Sequence, residues 1–85
     1  MIVVSTKHFK KKVFKLPKFI KIKLAERIQL FMSEPKNIIL NNHPLNGKYS
    51  GYRSINITGD YRMIFEELPD GSARLIDVGT HPELY

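Results

Sequence analysis

The apolar residues change their spacing near the middle of the chain, and this change constrains the fold more than any other feature. In the first half, Phe9, Val13 and Leu16 recur at i, i+4 and i+7, the spacing of one helix face. After Gly51, apolar and polar side chains alternate as they do along a half-buried strand. Helices followed by strands, rather than alternating with them, predict an α+β domain.

Residues 1–17 predict a short strand and a first helix. The segment Ile2–Val4 is entirely β-branched, the composition of a strand. Ser5 or Thr6 can then cap the helix, because a hydroxyl accepts a hydrogen bond from a free N–H of the first turn. Pro17 ends this helix, since the residue before a proline is disfavoured in the α region.

Pro17 also suits the first position of a helix, so a second helix follows directly. Its apolar face consists of Ile20, Leu24, Ile28 and Phe31. This helix runs to about Ser33, and Pro35 stops it. Residues 37–48 contain asparagine, proline and glycine and predict a loop.

Three strands are predicted in the second half, at residues 52–57, 61–66 and 74–78, with turns at residues 58–59 and 68–71. Short turns between successive strands imply antiparallel pairing. The expected fold is a single α+β domain over residues 1–85. It has an N-terminal strand at the edge and a basic helical hairpin packed on one face of a small antiparallel sheet, with the other face partly open.

The positive charge is concentrated at one end of the chain. Nine of the 14 lysines and arginines fall in residues 7–27: Lys7, Lys10, Lys11, Lys12, Lys15, Lys18, Lys21, Lys23 and Arg27. Only Glu26 opposes them, so residues 1–30 carry +8 and residues 31–85 carry −2. Such a basic segment predicts a nucleic-acid partner; the alternative is a solvated helix face without a binding role. No segment is long and apolar enough for a membrane span or typical of a signal peptide, so a cytoplasmic protein without a membrane partner is expected.

Three histidines are candidates for proton transfer, because an imidazole has an unperturbed pKa near neutrality. His8 lies among lysines and is interpreted as a surface residue. His43 lies in the polar loop and His81 follows the last strand, and either could be a bystander. Asp60 and Arg62 come just after a turn and on their own could form an ion pair.

A metal site is not expected. His43, His81, Asp60 and Asp77 have side chains of the ligand type, but their spacing resembles no zinc signature. Cysteine is absent, which excludes disulfides and thiolate ligands. No phosphate-binding glycine loop or dinucleotide motif is present, so no cofactor is expected.

The second half of the chain resembles the RelE superfamily of toxins, and within it the YafQ-like members. The resemblance rests on Leu45–Gly47, Gly51–Ile55, Gly59–Glu66 and the closing stretch Asp77–Tyr85. It implies a compact toxin with the RelE-like fold. Such a toxin enters the ribosomal A site and cuts mRNA there without a metal. The reaction of the family is attack of the ribose 2′-OH on the adjacent phosphate, and a cognate antitoxin holds the toxin inactive.

The resemblance also implies roles for five residues. His43, Asp60 and His81 match catalytic residues of the YafQ-like toxins, Tyr85 matches their terminal aromatic residue, and Arg62 matches a phosphate-contacting arginine. His43 or Asp60 could be the base, Arg62 the cation and protonated His81 the acid, while Tyr85 could stack on a base. The alternatives are that Tyr85 only packs at the terminus and that Arg62 pairs with a nearby carboxylate, Glu66 or Asp77.

Two positions depart from the family pattern. Asn56 stands where YafQ-like toxins carry another histidine, and an amide cannot exchange protons near neutrality. Asp77 stands where a basic residue usually precedes the Gly-Thr-His motif. The expected function is a ribosome-dependent mRNA endoribonuclease. The alternatives are a ParE-like inhibitor of DNA gyrase without nuclease activity, or a basic nucleic-acid-binding module.

Overall fold

The computed structural model describes residues 1–85 as a five-stranded sheet with three α-helices. The strands are β1 (Val3–Ser5), β2 (His43–Pro44), β3 (Arg53–Asn56), β4 (Tyr61–Glu67) and β5 (Ala73–Thr80). The helices are α1 (Lys7–Phe14), α2 (Lys18–Ser33) and α3 (His81–Leu84), and two 3₁₀ turns occupy Ile38–Leu40 and Gly47–Tyr49. The predicted order of strand, helical hairpin and three-strand meander is therefore present, and β2 and α3 are additions that periodicity did not reveal.

The sheet is mixed. Its order is β1-β5-β4-β3-β2. The neighbours β3, β4 and β5 are antiparallel, as predicted, and the unpredicted β2 also pairs antiparallel with β3. β1 lies at the predicted edge but runs parallel to β5, with Val3 opposite Ala73 and Ser5 opposite Leu75. The helical hairpin and the whole meander separate these two strands in sequence, so no tight turn forces them to be antiparallel.

Thr6 joins the first strand to the first helix. Its Oγ1 accepts a hydrogen bond from the Phe9 N–H (3.1 Å) and donates one to the Leu75 carbonyl (3.0 Å). The hydroxyl thus caps α1 and ties its start to β5. Of the two predicted caps, Thr6 is the one used, and Pro17 lies between α1 and α2 as predicted.

The core lies between the helices and one face of the sheet. Its fully buried cluster contains Phe9, Leu24, Phe31, Leu40, Ile55, Ile57, Met63, Phe65, Ala73, Leu75 and Val78. The rings of Phe31 in α2 and Phe65 in β4 meet edge to face with centroids 4.6 Å apart. Aromatic pairs in this geometry stabilise beyond their area burial, so this contact fixes α2 on the sheet.

The opposite face is less open than the sequence suggested. Ser54 and Ile64 lie opposite each other on β3 and β4, and neither has exposed surface. α3 packs against β5 and buries Leu84. This face is thus covered at Ser54 and Ile64, while Arg74 of β5 on the same face remains exposed. None of the helices is both long and apolar enough to cross a membrane.

Candidate active site

Three segments that are separate in sequence meet at one cleft, which we call the histidine cleft. It has a volume of about 280 Å³ and is lined by His43, Pro44, Leu45, Asn46, Arg62, His81 and Tyr85. Four of the five residues predicted to be catalytic line it: His43, Arg62, His81 and Tyr85. The cleft thus brings together two imidazoles, a guanidinium and a phenol ring.

β2 places His43 in the cleft by pairing it with Ser54 of β3. The His43 Nδ1 lies 2.7 Å from the carbonyl oxygen of Asn41. A carbonyl oxygen only accepts, so Nδ1 carries the proton in this hydrogen bond and Nε2 is left as the free acceptor of the neutral ring. Asn41 adopts a left-handed backbone (φ 47°), which turns its carbonyl back toward the ring. His43 is therefore held in the tautomer that a general base requires.

The turn between β3 and β4 anchors Arg62. Its Nη1 donates to the backbone carbonyls of Thr58 (2.9 Å), Gly59 (2.9 Å) and Tyr61 (3.1 Å). No carboxylate pairs with this guanidinium. The alternatives of ion pairs with Asp60, Glu66 or Asp77 are therefore wrong: Glu66 pairs with Arg74 (3.0 Å), and Asp77 pairs with residues of α1. Nε and Nη2 remain available for an anion.

α3 carries His81 and Tyr85 at its two ends, and a capping box starts it. Glu83 Oε1 accepts from the Thr80 N–H (2.8 Å) and the Thr80 hydroxyl (2.7 Å). These hydrogen bonds, the hydroxyl contributing most, hold the pKa of the Glu83 carboxyl below its ordinary value. The His81 N–H donates to the Asp60 carbonyl (2.9 Å), which ties the helix to the β3–β4 turn. The His81 and Tyr85 rings then lie 4.8 Å apart by their centroids.

Sequence reasoning missed an aromatic cluster beside the cleft. The Tyr49 ring meets the Tyr85 ring edge to face at 5.8 Å, and Tyr52 follows at 6.4 Å from Tyr49. The Lys48 Nζ lies 5.1 Å from the centre of the Tyr49 ring. The two tyrosines close to Gly51 were the available signal, but only the fold brings Tyr49 to Tyr85.

Asp60 is not brought into the cleft. It is exposed in the β3–β4 turn, and its backbone rather than its carboxylate contacts the site. Asn56 lies opposite Arg62 in the strand register but lines a different depression, and its buried Oδ1 has no hydrogen-bond partner. Asp77 also lies outside the cleft lining, because its carboxylate pairs with His8 (3.2 Å) and Lys12 (3.1 Å).

Cationic side chains cover α1 and the start of α2. Five of the predicted RNA-binding residues are exposed and have no carboxylate partner: Lys7, Lys10, Lys11, Lys15 and Lys18. The other four are engaged. Lys12 pairs with Asp77 and Lys23 with Glu26 (3.5 Å), Lys21 lies over the Phe14 ring, and Arg27 donates to the Ile57 carbonyl. No group of three histidine, aspartate or glutamate side chains is arranged to hold a metal ion.

Solved toxin structures share this fold. YafQ from E. coli strain BL21(DE3) superposes with a TM-score of 0.82 at 25% identity over 98% of this chain and 96% of that one. The toxin of the E. coli DinJ-YafQ toxin-antitoxin complex superposes with a TM-score of 0.79 at 26% identity, over 98% of this chain and 94% of that one. A YoeB/ParE toxin from Agrobacterium tumefaciens gives 0.76 at 21% identity, over 95% and 99%, a likeness of fold alone.

At the level of sequence, no curated protein matches the chain significantly. A family model described as "Bacterial toxin of type II toxin-antitoxin system, YafQ" matches residues 1–85, the whole chain. The predicted membership of the RelE superfamily and the predicted α+β fold are thereby confirmed. The chain belongs to the YafQ family of toxins of type II toxin–antitoxin systems.

Proposed function

We propose that this toxin is a ribosome-dependent mRNA endoribonuclease that works without a metal and is held inactive by a cognate antitoxin. The observation that carries the proposal is the convergence of His43, Arg62 and His81 on one cleft. Cleavage by the ribose 2′-OH needs a base, a cation and an acid within reach of one phosphate. The histidine cleft contains one candidate for each. The substrate and the ribosome imply a cytoplasmic site of action.

In the proposed reaction, His43 Nε2 takes the proton of the 2′-OH, and the 2′ oxygen forms a bond to phosphorus. The P–O5′ bond breaks, and protonated His81 donates its proton to the departing 5′ oxygen. The products are a 2′,3′-cyclic phosphate and a 5′-OH. The choice of His43 over Asp60 as the base follows from their placement, because the Asp60 carboxylate does not line the cleft.

Arg62 would stabilise the charge that develops on the phosphate oxygens. Its Nη1 is already engaged by three carbonyls, so the guanidinium is held in place before the substrate arrives. Preorganised donors of this kind contribute about 10²–10³-fold to a rate. Tyr85, packed between His81 and Tyr49, would offer its ring to a nucleobase.

The decisive experiment is cleavage of mRNA on programmed ribosomes, with mapping of the ends of the products. We expect cuts in the A-site codon, cyclic phosphate ends and full activity in EDTA. Free mRNA should be cut far more slowly. A gyrase supercoiling assay run in parallel distinguishes the ParE-like alternative, and inhibition of gyrase without any RNA cleavage would contradict the proposal.

Arg62→Lys gives a sharper version of the test. A lysine keeps the charge but cannot donate to three carbonyls while presenting a planar fork to phosphate. We expect a loss of about 10²-fold in the single-turnover rate. The matched control is Arg74→Lys, an exposed arginine on β5 that pairs with Glu66 outside the cleft, which should cut at the wild-type rate.

A further inference from the structure

A second cleft lies across α3 from the histidine cleft, and we call it the lysine cleft. It also has a volume of about 280 Å³, and its lining includes Lys15, Leu16, Pro17, Tyr61, Gly79 and Glu83. α3 borders both clefts, because His81 and Tyr85 line the first and Glu83 lines the second. One strand of RNA passing over this single helical turn would reach both.

Glu83 supplies a fixed acceptor in the lysine cleft. Its Oε1 is occupied by the two hydrogen bonds from Thr80, whereas its Oε2 has no hydrogen-bond partner in the protein. The same bonds lower the pKa of the Glu83 carboxyl, so it stays ionised at neutral pH. An ionised, immobilised carboxylate is suited to accept from the amino group of a base.

The rest of the cleft suits the other parts of a nucleotide. Lys15 is exposed and has no carboxylate partner, so its ammonium group is free for a phosphate. Leu16 and Pro17 add apolar walls, and Tyr61 adds an aromatic one. A Cβ atom at Gly79 would lie 3.4 Å from Glu83 Oε1 and 3.5 Å from the Lys12 Nζ, so the absence of a side chain keeps the space between these groups clear.

We propose that the lysine cleft binds one nucleotide of the RNA strand, next to the nucleotide held in the histidine cleft. The proposal rests on the ribonuclease function above. Lys15 contacts the phosphate, the base lies against Tyr61 and Leu16, and its exocyclic amino group donates to Glu83 Oε2. Cytosine has this donor, whereas uracil presents a carbonyl oxygen at the same position. The cleft therefore favours cytosine over uracil.

The test is an NMR titration of the ¹⁵N-labelled full chain at low salt with two matched nucleotides, cytidine 5′-monophosphate and uridine 5′-monophosphate. We expect saturable shifts of the Gly79 and Glu83 amide signals. Cytidine monophosphate should bind about 2–10-fold more tightly than uridine monophosphate, the difference that one net hydrogen bond allows. Glu83→Gln should reverse the preference. The amide can keep its oxygen on Thr80, since glutamine also serves in a capping box, and then turns its NH₂ toward the base.

Two lysine variants complete the design. Lys15→Gln should weaken the binding of both nucleotides by the same factor. The control is Lys36→Gln, at an exposed lysine that lines neither cleft, and it should change neither affinity by more than about twofold. Three outcomes would each overturn the proposal. They are amide shifts confined to the histidine cleft, amide shifts spread over α1 without a preference for either base, and an unchanged preference for cytidine monophosphate in Glu83→Gln. Nucleotide binding here in a protein that fails to cut ribosome-bound mRNA would instead support the site and overturn the proposed function.

Discussion

Two histidines line one cleft, and their hydrogen-bond surroundings differ. His43 has its Nδ1 committed to the Asn41 carbonyl, which leaves Nε2 as an acceptor. Neither ring nitrogen of His81 has a hydrogen-bond partner within the protein, and its ring is tilted by 50° against that of Tyr85. Neither nitrogen of His81 is therefore committed to a partner in the protein. This difference supports His43 as the base and His81 as the acid.

We expect His81→Ala to reduce single-turnover cleavage of ribosome-bound mRNA by about 10²–10⁴-fold. The reason is that the departing 5′ oxygen is strongly basic and water is a poor replacement for a positioned acid. His43→Ala should have the milder effect, because water can accept the 2′-OH proton in place of His43 Nε2.

His8→Ala is the matched control for both variants, since His8 lies on α1 and contacts Asp77 rather than the cleft. It should cut at the wild-type rate, and circular dichroism should show that all three variants are folded. A folded His81→Ala variant with wild-type activity would show that the acid has been assigned to the wrong residue.

α3 is a helix of only four residues, and its capping box has to hold it in place. An isolated helix of this length is not stable in water. The Thr80–Glu83 hydrogen bonds and the bond from the His81 N–H to the Asp60 carbonyl therefore decide where both His81 and Tyr85 lie. Short as it is, this element sets the geometry of the cleft.

This cap is predicted to weaken in acid. The folded-state pKa of Glu83 lies below its ordinary value of about 4.5, so the carboxylate stabilises the folded state fully above that value. The contribution is lost as the pH falls through the folded-state pKa. In Thr80→Val the largest cause is removed, and we expect the Glu83 pKa to move up toward 4.5 in a ¹³C NMR titration.

Asp70 provides an internal control for the titration. Its pKa is lowered by Ser72, through the Ser72 hydroxyl and N–H, in a different turn. Thr80→Val should leave the Asp70 titration unchanged. It should also make the Tyr85 amide hydrogen exchange faster with solvent, because that N–H donates to the His81 carbonyl at the end of α3. Identical Glu83 titrations in the wild-type protein and in Thr80→Val would mean that the capping box is not formed in solution.

α1 carries the free lysines that are predicted to bind RNA. Neutralising a phosphate releases a counterion, so the slope of log affinity against log salt reports the number of contacts, at about 0.7 each for single strands. Replacing Lys7, Lys10 and Lys11 together by glutamine should therefore reduce the slope by about two. The measurement is binding to ribosomes between about 50 and 200 mM salt.

Lys12 should behave differently from these three neighbours. Its ammonium lies 3.1 Å from Asp77, and both side chains are largely buried against the sheet. Lys12→Gln should lower the midpoint of thermal unfolding, whereas the triple variant should not. If the triple variant retained the wild-type salt slope, the exposed lysines would have no role in RNA binding.

The whole molecule leaves much apolar surface uncovered for a chain of 85 residues. Its largest exposed apolar side chains include Ile2, Val4, Phe14, Phe19, Ile22 and Ile38. They lie at β1, on α1 and α2 and in the first 3₁₀ turn, and exposed apolar surface of this kind is available to a partner. β1 is also a sheet edge that is free to accept another strand. These surfaces, and the DinJ-YafQ complex of a family member, support an antitoxin partner.

We expect production of the toxin alone to arrest growth and co-production of the cognate antitoxin to relieve the arrest. Binding to the folded state should also raise its stability, by about 2.7 kcal/mol at a hundredfold excess over Kd. Growth curves and thermal unfolding with and without antitoxin measure the two effects. The His81→Ala variant is the control, since it should be stabilised equally without arresting growth. Normal growth with abundant soluble wild-type protein would contradict the toxin function.

The amino-acid sequence by itself determined the local structure. Helical spacing, the two prolines and the Thr6 cap act within one or two turns, so α1 and α2 could be predicted closely. The alternation after Gly51 likewise predicted β3, β4 and β5 to within about two residues. Residue types and family resemblance also identified four side chains that line the histidine cleft.

Tertiary structure alone decided how these elements meet. The parallel pairing of β1 with β5, the position of Asp60 outside the cleft and the arrival of Tyr49 beside Tyr85 all depend on contacts between residues far apart in sequence. The hydrogen bond that sets the His43 tautomer depends on the left-handed turn at Asn41. Periodicity reports which side of an element is buried, but it carries no information about which surface will cover it, because that depends on how the elements pack.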